Sequence, residues 1–308
     1  VTFTTRFAPS PTGPLHLGHA YSAMLAHDMA RAVGGTFLLR IEDIDRARSK
    51  PEWEAQIYDD LRWLGLTWSE PVIRQSDRLA VYADALDRLW DQHLLFACTC
   101  NRRDIVEAAS APQEGAPLIG PDGIVYPGTC RNTGGWTGQT PPPRPTDMAL
   151  RLDVWRAQEV ANGFTAPIGQ NGTAYDKIAH FTETGAGPDG QTGDIAFSYA
   201  EVIETIGAVV LARRDMGTSY HLSVVLDDAA QGITDVVRGA DLFEATRIHV
   251  LLQGLLGLRT PRYHHHRLIR DETGKRLAKR DDARALSKFR AEGATPDDIR
   301  RKVGLDHG

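Results

Sequence analysis

The most constraining stretch of this 308-residue chain is its first forty residues. Thr2 to Ala8 reads as a short strand. It runs directly into Pro9-Ser10-Pro11-Thr12-Gly13-Pro14, where proline and glycine disfavour helix. A helical pattern then spans His19 to about Val33, Gly34-Gly35 stops it, and Thr36 to Ile41 is a second, buried strand. Strand, loop, helix and strand within about 40 residues predict a βαβ unit with parallel strands, and so an α/β fold.

The remainder divides by texture. Trp53, Ile57, Leu61 and Leu64 mark one helix face, and Leu79, Tyr82, Leu86, Leu89 and Leu94 another. From Cys98 to Pro145 glycine, proline and cysteine dominate, and 161–195 is Gly-rich and irregular. Unstructured stretches of that length inside a compact domain are usually functional or organised by something else, so 96–195 is read as an insertion. Strand character returns at Ile206–Ala212, Tyr220–Leu226 and Ile233–Arg238, and a helix at Leu242–Leu256. The expected partition is 1–95 and 196–257 as two halves of one catalytic domain, 96–195 inserted between them, and 258–308 as a C-terminal region.

Composition narrows the class. No apolar run reaches the ~18–20 residues of a membrane span, and the N-terminus has no basic, then apolar, leader. Three cysteines are too few and odd in number for a secreted disulfide framework. A cytoplasmic protein is expected. The net charge of −5 does not advertise a nucleic-acid partner, but Lys275 to Lys302 holds ten Lys/Arg against five Asp/Glu. Phosphate contacts need only such local positive charge.

Chemistry concentrates in His16-Leu17-Gly18-His19. A helix N-terminus offers free N–H groups and a positive dipole end to phosphate. Histidines three apart lie on one side of a turn and can serve one oxyanion, and Gly18 leaves room for a flat ring. Taken alone, the tetrapeptide could equally be a Pro-rich turn with two incidental histidines. The longer string Arg6-Phe7-Ala8-Pro9-Ser10-Pro11-Thr12-Gly13-Pro14-Leu15-His16-Leu17-Gly18-His19 resembles the signature loop of class I aminoacyl-tRNA synthetases, in its glutamyl branch. The resemblance implies a Rossmann-like parallel sheet that adenylates L-glutamate with ATP and Mg2+. It implies that His16, Gly18 and His19 meet ATP, and that Arg6, Ala8 and Ser10 lie at the amino-acid pocket.

A phosphoryl site also needs cations opposite the helix terminus. Gly274-Lys275-Arg276-Leu277-Ala278-Lys279-Arg280 supplies them, although most charge runs are solvated faces. The segment resembles the second class I signature, and Lys279 then matches the lysine that holds departing pyrophosphate. Arg276 and Ala278 depart from that signature. A glutamate pocket needs an Arg for a carboxylate and an acid for the ammonium. Arg40-Ile41-Glu42-Asp43-Ile44-Asp45 follows the second strand, at the end where α/β folds bind ligands. The resemblance assigns Glu42 to the ammonium, and Tyr220 and Arg238 to the rest of the pocket. His221 receives no role.

Cys98, Cys100 and Cys130 all fall in the structure-poor insertion. Thiolates suit zinc, and a segment with little core gains most from a metal cross-link. Three cysteines leave one ligand open. In some glutamyl members C-x-C … Y-x-x-x-C is a Zn2+ site, which implies Cys98, Cys100, Tyr126 and Cys130. His93 is the rival fourth ligand.

Only 28 residues follow Arg280, where full glutamyl-tRNA synthetases carry an anticodon-binding part. No anticodon-binding domain is expected, only a short helical, basic end. That architecture, and Ala240 where glutamyl enzymes have Glu, resemble the glutamyl-queuosine tRNA(Asp) synthetases, a paralogous branch. The resemblance implies activation without tRNA, transfer of glutamate to the queuosine base of tRNA(Asp), and a monomer with no DNA or membrane partner. A conventional core charging the 3′ end, or a silent tRNA-binding module, stays open at this point.

Overall fold

The computed structural model describes residues 2–109, 118–131, 141–161, 177–270 and 284–305. The opening unit forms as the sequence predicts. Strand β1 (Thr4–Phe7), helix α1 (Leu17–Ala32) and strand β2 (Thr36–Ile41) follow in order, and β1 pairs in parallel with β2 from Thr4 against Thr36. Helix α2 (Pro51–Trp63) leads to strand β3 (Ser69–Arg74), which adds to the other side of β2, again in parallel. Helix α3 (Leu79–Asp91) then crosses to a second region.

That region is a small antiparallel sheet. Strand β4 (Leu95–Cys98) pairs with β7 (Ala149–Leu152), and β7 with β10 (Val210–Ala212). Between β4 and β7 lie helix α4 (Arg102–Ala109) and a two-strand hairpin, β5 (Ile119–Gly120) and β6 (Gly123–Ile124). After β7 come helix α5 (Val154–Ala161), strands β8 (Ile178–Glu183) and β9 (Gly193–Ser198), and helix α6 (Tyr199–Thr205).

The sequence reading of 161–195 as irregular needs correction. Over its described part, β8 and β9 pair along their whole length, and β8 joins the sheet containing β11 (Asp235–Gly239) and β12 (Arg262–His266). The order of that sheet is β11-β12-β8-β9, with β11 and β12 parallel. Glycines concealed the hairpin because Gly185 and Gly187 are needed for close approach: a Cβ at 185 would lie 2.2 Å from the His265 carbonyl oxygen. A second correction concerns Tyr220–Leu226. It is not a strand but the start of helix α7 (Tyr220–Ala230). A continuous apolar, β-branched run does not separate a buried strand from a buried helix. The signal lay just before it: Ser219 caps the helix by accepting from the Leu222 N–H.

The parallel sheet of β1, β2 and β3 and the mixed sheet of β11, β12, β8 and β9 meet at β1 and β11. Thr234, just before β11, accepts from the Thr4 N–H at 2.8 Å through Oγ1 and donates its own N–H to the Thr4 carbonyl at 2.9 Å. Strand order therefore reverses between β1 and β11, the crevice where open α/β sheets bind ligands. Helix α8 (Ala245–Leu256) returns the chain from β11 to β12. Helices α9 (Leu286–Ala291) and α10 (Pro296–Val303) then fold back on the first unit: Leu286, Phe289 and Ile299 join the core of Met24, Leu39, Ile57 and Leu61. The arginines of this basic end are mostly paired. Arg300 holds Asp28 at 2.7 and 3.0 Å, Arg290 holds Asp59 at 2.6 Å, Arg284 pairs with Glu292 and Arg301 with Asp298. Of these pairs, those of Arg290 and Arg300 dock the segment on the first unit.

One buried carboxyl in the first unit works against the fold. Asp60 on α2 is 1% exposed and its Oδ2 has no partner. Burial, with Asp59 adding to it and Arg290 opposing, pushes its pKa from 3.8 up to about 6. A raised carboxyl costs nothing below its unfolded value and its full penalty above its folded one. Asp60→Asn should therefore stabilise the protein by about 1–3 kcal/mol at pH 7. In urea titrations the gain should fade as pH falls from about 6 to 3.8. A gain of equal size at both ends would show that charge is not its source.

Candidate active site

Both histidines of the proline-rich loop are built into the cap of α1. The His16 N–H donates to His19 Nδ1 at 3.2 Å, and the Gly18 N–H donates to His16 Nδ1 at 3.1 Å. This reciprocal cap replaces the usual hydroxyl and carboxylate of a capping box with two imidazoles. Its consequence is chemical. A ring nitrogen that accepts carries no proton, so both rings in neutral form hold theirs on Nε2. The ring centroids are 3.8 Å apart, so two N–H donors sit side by side at a helix N-terminus. Gly18 is demanded by the same cap: a Cβ there would lie 3.0 Å from His16 Cε1. Leu15 and His16 are also tied to the C-terminal region, since the Leu286 N–H donates to the Leu15 carbonyl at 2.8 Å and His16 bridges Ala285. Lys279 and the rest of the lysine loop lie outside the described residues.

At the C-terminal ends of β1 and β2 lies a buried charge network. Arg6 grips Asp228 with both Nε (2.8 Å) and Nη2 (3.2 Å). Arg40, wholly buried, donates to the same carboxylate at 2.8 Å and to Glu42 at 3.1 Å. Beneath it, Asp227 accepts from Arg78, Gln75 and Tyr82 at 2.6–3.1 Å. Three arginines face three carboxylates, so the network is close to neutral. Burial tends to raise the Asp228 carboxyl, but Arg6 and Arg40 outweigh it and hold it below the ordinary carboxylate range. For Glu42 burial wins over the same two arginines and pushes its carboxyl up. Of the acids after β2, Asp43 accepts from the Ser76 N–H at 2.8 Å and Asp45 pairs with exposed Arg48, so both are structural.

Tyr220 opens α7, whose other end carries Asp227 and Asp228. Burial raises its hydroxyl pKa, and its ring meets those of His221 and His249 edge-on, with centroids 5.5 and 5.7 Å away. Arg238 on β11 is 7% exposed and held on three sides. It donates to His265 Nε2 (3.1 Å), His249 Nδ1 (3.0 Å), Thr246 Oγ1 (2.7 Å) and the Leu242 carbonyl (3.3 Å). Ala8 and Ser10 sit half-buried where β1 gives way to the loop, which is laced to β2 by the Glu42 N–H donating to the Pro9 carbonyl at 3.0 Å.

The cysteines gather on the small sheet. Cys98 ends β4, and the Sγ atoms of Cys98, Cys100 and Cys130 lie within 4.8 Å of one another. The Tyr126 hydroxyl is 3.5 Å from Cys98 Sγ and 3.4 Å from Cys100 Sγ. Arg151 stacks over the Tyr126 ring at 3.9 Å and fixes its orientation. Burial pushes the Cys100 thiol up to about 11. Burial also opposes ionisation of Cys130, but hydrogen bonds from Tyr126 and Thr99 outweigh it and bring that thiol down to about 6. His93 is not a member of this group.

A family model described as the catalytic domain of class I tRNA synthetases (E and Q) matches residues 2–117 and 182–305. A "Glutamyl-Q tRNA(Asp) synthetase" of Rhodobacter capsulatus is 64% identical over 98% of this chain and 99% of its own length. The chain belongs to the glutamyl-Q tRNA(Asp) synthetase family. It is a class I synthetase-like ligase. A member of the family from Symbiobacterium thermophilum is 40% identical over 96% of this chain and 83% of that protein. In fold, the chain resembles a glutamate-tRNA synthetase of Elizabethkingia anophelis with a TM-score of 0.71 at 22% identity. It covers 99% of this chain but spans only 61% of that one.

Within this glutamyl-Q family member, several residues of the two buried networks escape the sequence reading. Arg40 looks like an ordinary strand residue, although a lone Arg in a buried strand already demands an acidic partner. Asp227 and Asp228 were hidden by taking α7 for a strand, where residues 220 and 228 would not share an end-to-end helix. His249, His265 and Glu183 come from three separate elements and carry no local signal at all.

Proposed function

We propose that the protein joins L-glutamate to ATP as glutamyl-adenylate without tRNA, and then transfers it to the queuosine base in the anticodon loop of tRNA(Asp). What supports this reading is the shared edge of β1, β2 and β11: two Nε2–H imidazoles at a helix N-terminus follow β1, and Arg6, Glu42 and Arg238 stand at the C-terminal ends of those three strands. Glu42 takes the substrate ammonium: a buried carboxyl pushed towards neutrality gains most from a new cation. Arg238 faces the side-chain carboxylate, with Arg6, Ala8, Ser10 and Tyr220 forming the walls. The α-carboxylate of glutamate attacks the α-phosphorus of ATP. One O–P bond forms, the bond to pyrophosphate breaks, and no proton needs to be removed. His16 and His19 donate to the phosphoryl oxygens as charge builds on them, with Gly18 at the nucleotide and Lys279 on the departing pyrophosphate. Mg2+ accompanies the phosphates. Catalysis of this kind is positioning plus preorganised electrostatics. Pyrophosphate should exchange into ATP when glutamate is present and tRNA absent. Exchange that appears only with tRNA would contradict the order of steps.

In this reading the partition is a catalytic domain of 1–95 and 196–257 that also includes the β8–β9 hairpin and strand β12, an inserted zinc-bearing part beginning at 96, and a C-terminal end after β12 that closes in two helices. The protein acts as a monomer in the cytoplasm, where its tRNA is found. Three sulfurs at this spacing suit a tetrahedral Zn2+, whose Zn–S bonds of ~2.3 Å put sulfurs just under 4 Å apart. Tyr126 supplies the fourth position. Protein purified without chelator should carry one zinc per chain. Cys98→Ser should lose the metal and melt about 5 °C or more below the parent, in keeping with the few kcal/mol a structural cross-link contributes. Metal-free protein with unchanged melting would remove the site.

A further inference from the structure

Arg238 is a buried guanidinium without a carboxylate partner among the described residues. Its Nη1 edge donates to His249 Nδ1 at 3.0 Å, and its Nε to His265 Nε2 at 3.1 Å. Arginine can only donate, so both imidazoles must accept at those atoms and be neutral there. A doubly protonated ring would have no lone pair to offer and would repel the guanidinium. Each ring is then locked from behind. His249 is 1% exposed, and its Nε2 lies 3.1 Å from Nδ1 of His221, leaving the His221 proton on Nε2, 3.5 Å from Asp122 at the tip of the β5–β6 hairpin. His265 donates its Nδ1–H to Glu183 at 2.5 Å. Glu183 is itself saturated by the His265 and Gly185 N–H groups at 2.9 and 2.7 Å. The negative charges nearest along these two chains are therefore held one imidazole and two imidazoles away from Arg238. Contrast Arg6, which is neutralised directly by Asp228.

We infer that His249, seconded by His221 and matched by His265, is the specificity-determining positioning residue of the pocket: it fixes the Arg238 guanidinium while leaving its charge uncancelled, so that an anionic side chain is selected over its neutral amide. The inference rests on the reading that Arg238 faces the substrate's side-chain carboxylate. A carboxylate placed where His249 stands would fix the arginine equally well but cancel its charge. A glutamate ligand would then meet a neutral pair, while glutamine would be less penalised, since discrimination here comes from leaving a buried charge unpaired for the wrong ligand. His221 shapes this at one remove, by keeping the His249 proton on Nε2.

The test measures ATP–pyrophosphate exchange with glutamate and with glutamine for four variants of the full chain. His249→Glu is expected to lower the glutamate-to-glutamine ratio of kcat/KM at least tenfold. His249→Leu, which frees the guanidinium, should raise KM for glutamate about tenfold or more with KM for ATP within twofold of the parent. His249→Gln retains an acceptor for Arg238 and a donor for His221 and should restore most of the loss. Arg238→Gln is the control on the underlying reading and should raise KM for glutamate more than any of these. If Arg238→Gln raises that KM while His249→Glu keeps the parent ratio and His249→Leu the parent KM, the positioning role is overturned and the pocket reading stands. Unchanged glutamate KM in Arg238→Gln overturns both. Thermal melting separates a folding loss from these outcomes: if His249→Glu or His249→Leu fails to fold, a further variant, His221→Leu, reads the same ratio, and a parent-like ratio there counts against the proposal.

Discussion

Replacing His16 or His19 with alanine lowers glutamate-dependent ATP–pyrophosphate exchange about 100- to 1,000-fold, the usual cost of removing one preorganised donor from a site of developing charge. The two substitutions also strip the cap from α1, because each ring accepts a backbone N–H through Nδ1. That structural loss is about 1 kcal/mol. The effects separate cleanly at position 16. His16→Ser keeps an oxygen that can cap the helix but withdraws the Nε2–H, so it should melt near the parent and still lose exchange. Parent-like exchange in His16→Ser would show that His16 serves only the cap.

Asp228→Asn destabilises the fold by about 3–5 kcal/mol, the cost of leaving buried partners of an ion pair uncompensated. The substitution changes little in volume. What it removes is the charge on which Arg6 and Arg40 converge at 2.8 Å, both of them less than one-tenth exposed. Released from Asp228, Arg6 can swing into the pocket and Arg40 loses its main partner beside Glu42, so KM for glutamate should rise as well. Asp45→Asn is the comparison. Its partner Arg48 is mostly exposed, and such pairs contribute at most about 1 kcal/mol. Urea titrations of both variants decide the matter, and equal losses would mean the buried network is no more than a set of surface pairs. Because Asp228 is held below the ordinary carboxylate range, the network should survive mild acid. A carboxyl lowered in the fold keeps its stabilisation down to its unfolded pKa and loses it only on further acidification.

How far the sequence carried this picture depended on whether the chemistry was local. Arg6 to Ile41 reads correctly because turn residues, a glycine stop and two histidines three apart all act within one βαβ unit. The proposed pocket is legible only in part. Resemblance proposes Glu42, Tyr220 and Arg238 for it, but the residues that surround them are distant in the chain. Asp228 lies 222 residues from Arg6 and 188 from Arg40, and Glu183 lies 82 from His265. The helix at Tyr220 does not read as one because its run from Leu222 to Leu226 is mostly apolar and β-branched, and it buries polar residues (His221, Ser223, Asp227 and Asp228) beside apolar ones, so no polar face marks a helical period. The basic end is legible as charge but not as pairing: Arg284, Arg290, Arg300 and Arg301 meet Glu292, Asp59, Asp28 and Asp298, and only the three-dimensional arrangement shows that.

The destination of the glutamyl group tests the whole account most directly. Queuosine-bearing tRNA(Asp) is charged with radiolabelled glutamate by the purified protein, cut with a base-specific ribonuclease, and the fragments are separated. The label should be found on the anticodon-loop fragment and co-elute with the modified base. Label on the 3′-terminal adenosine would contradict the account.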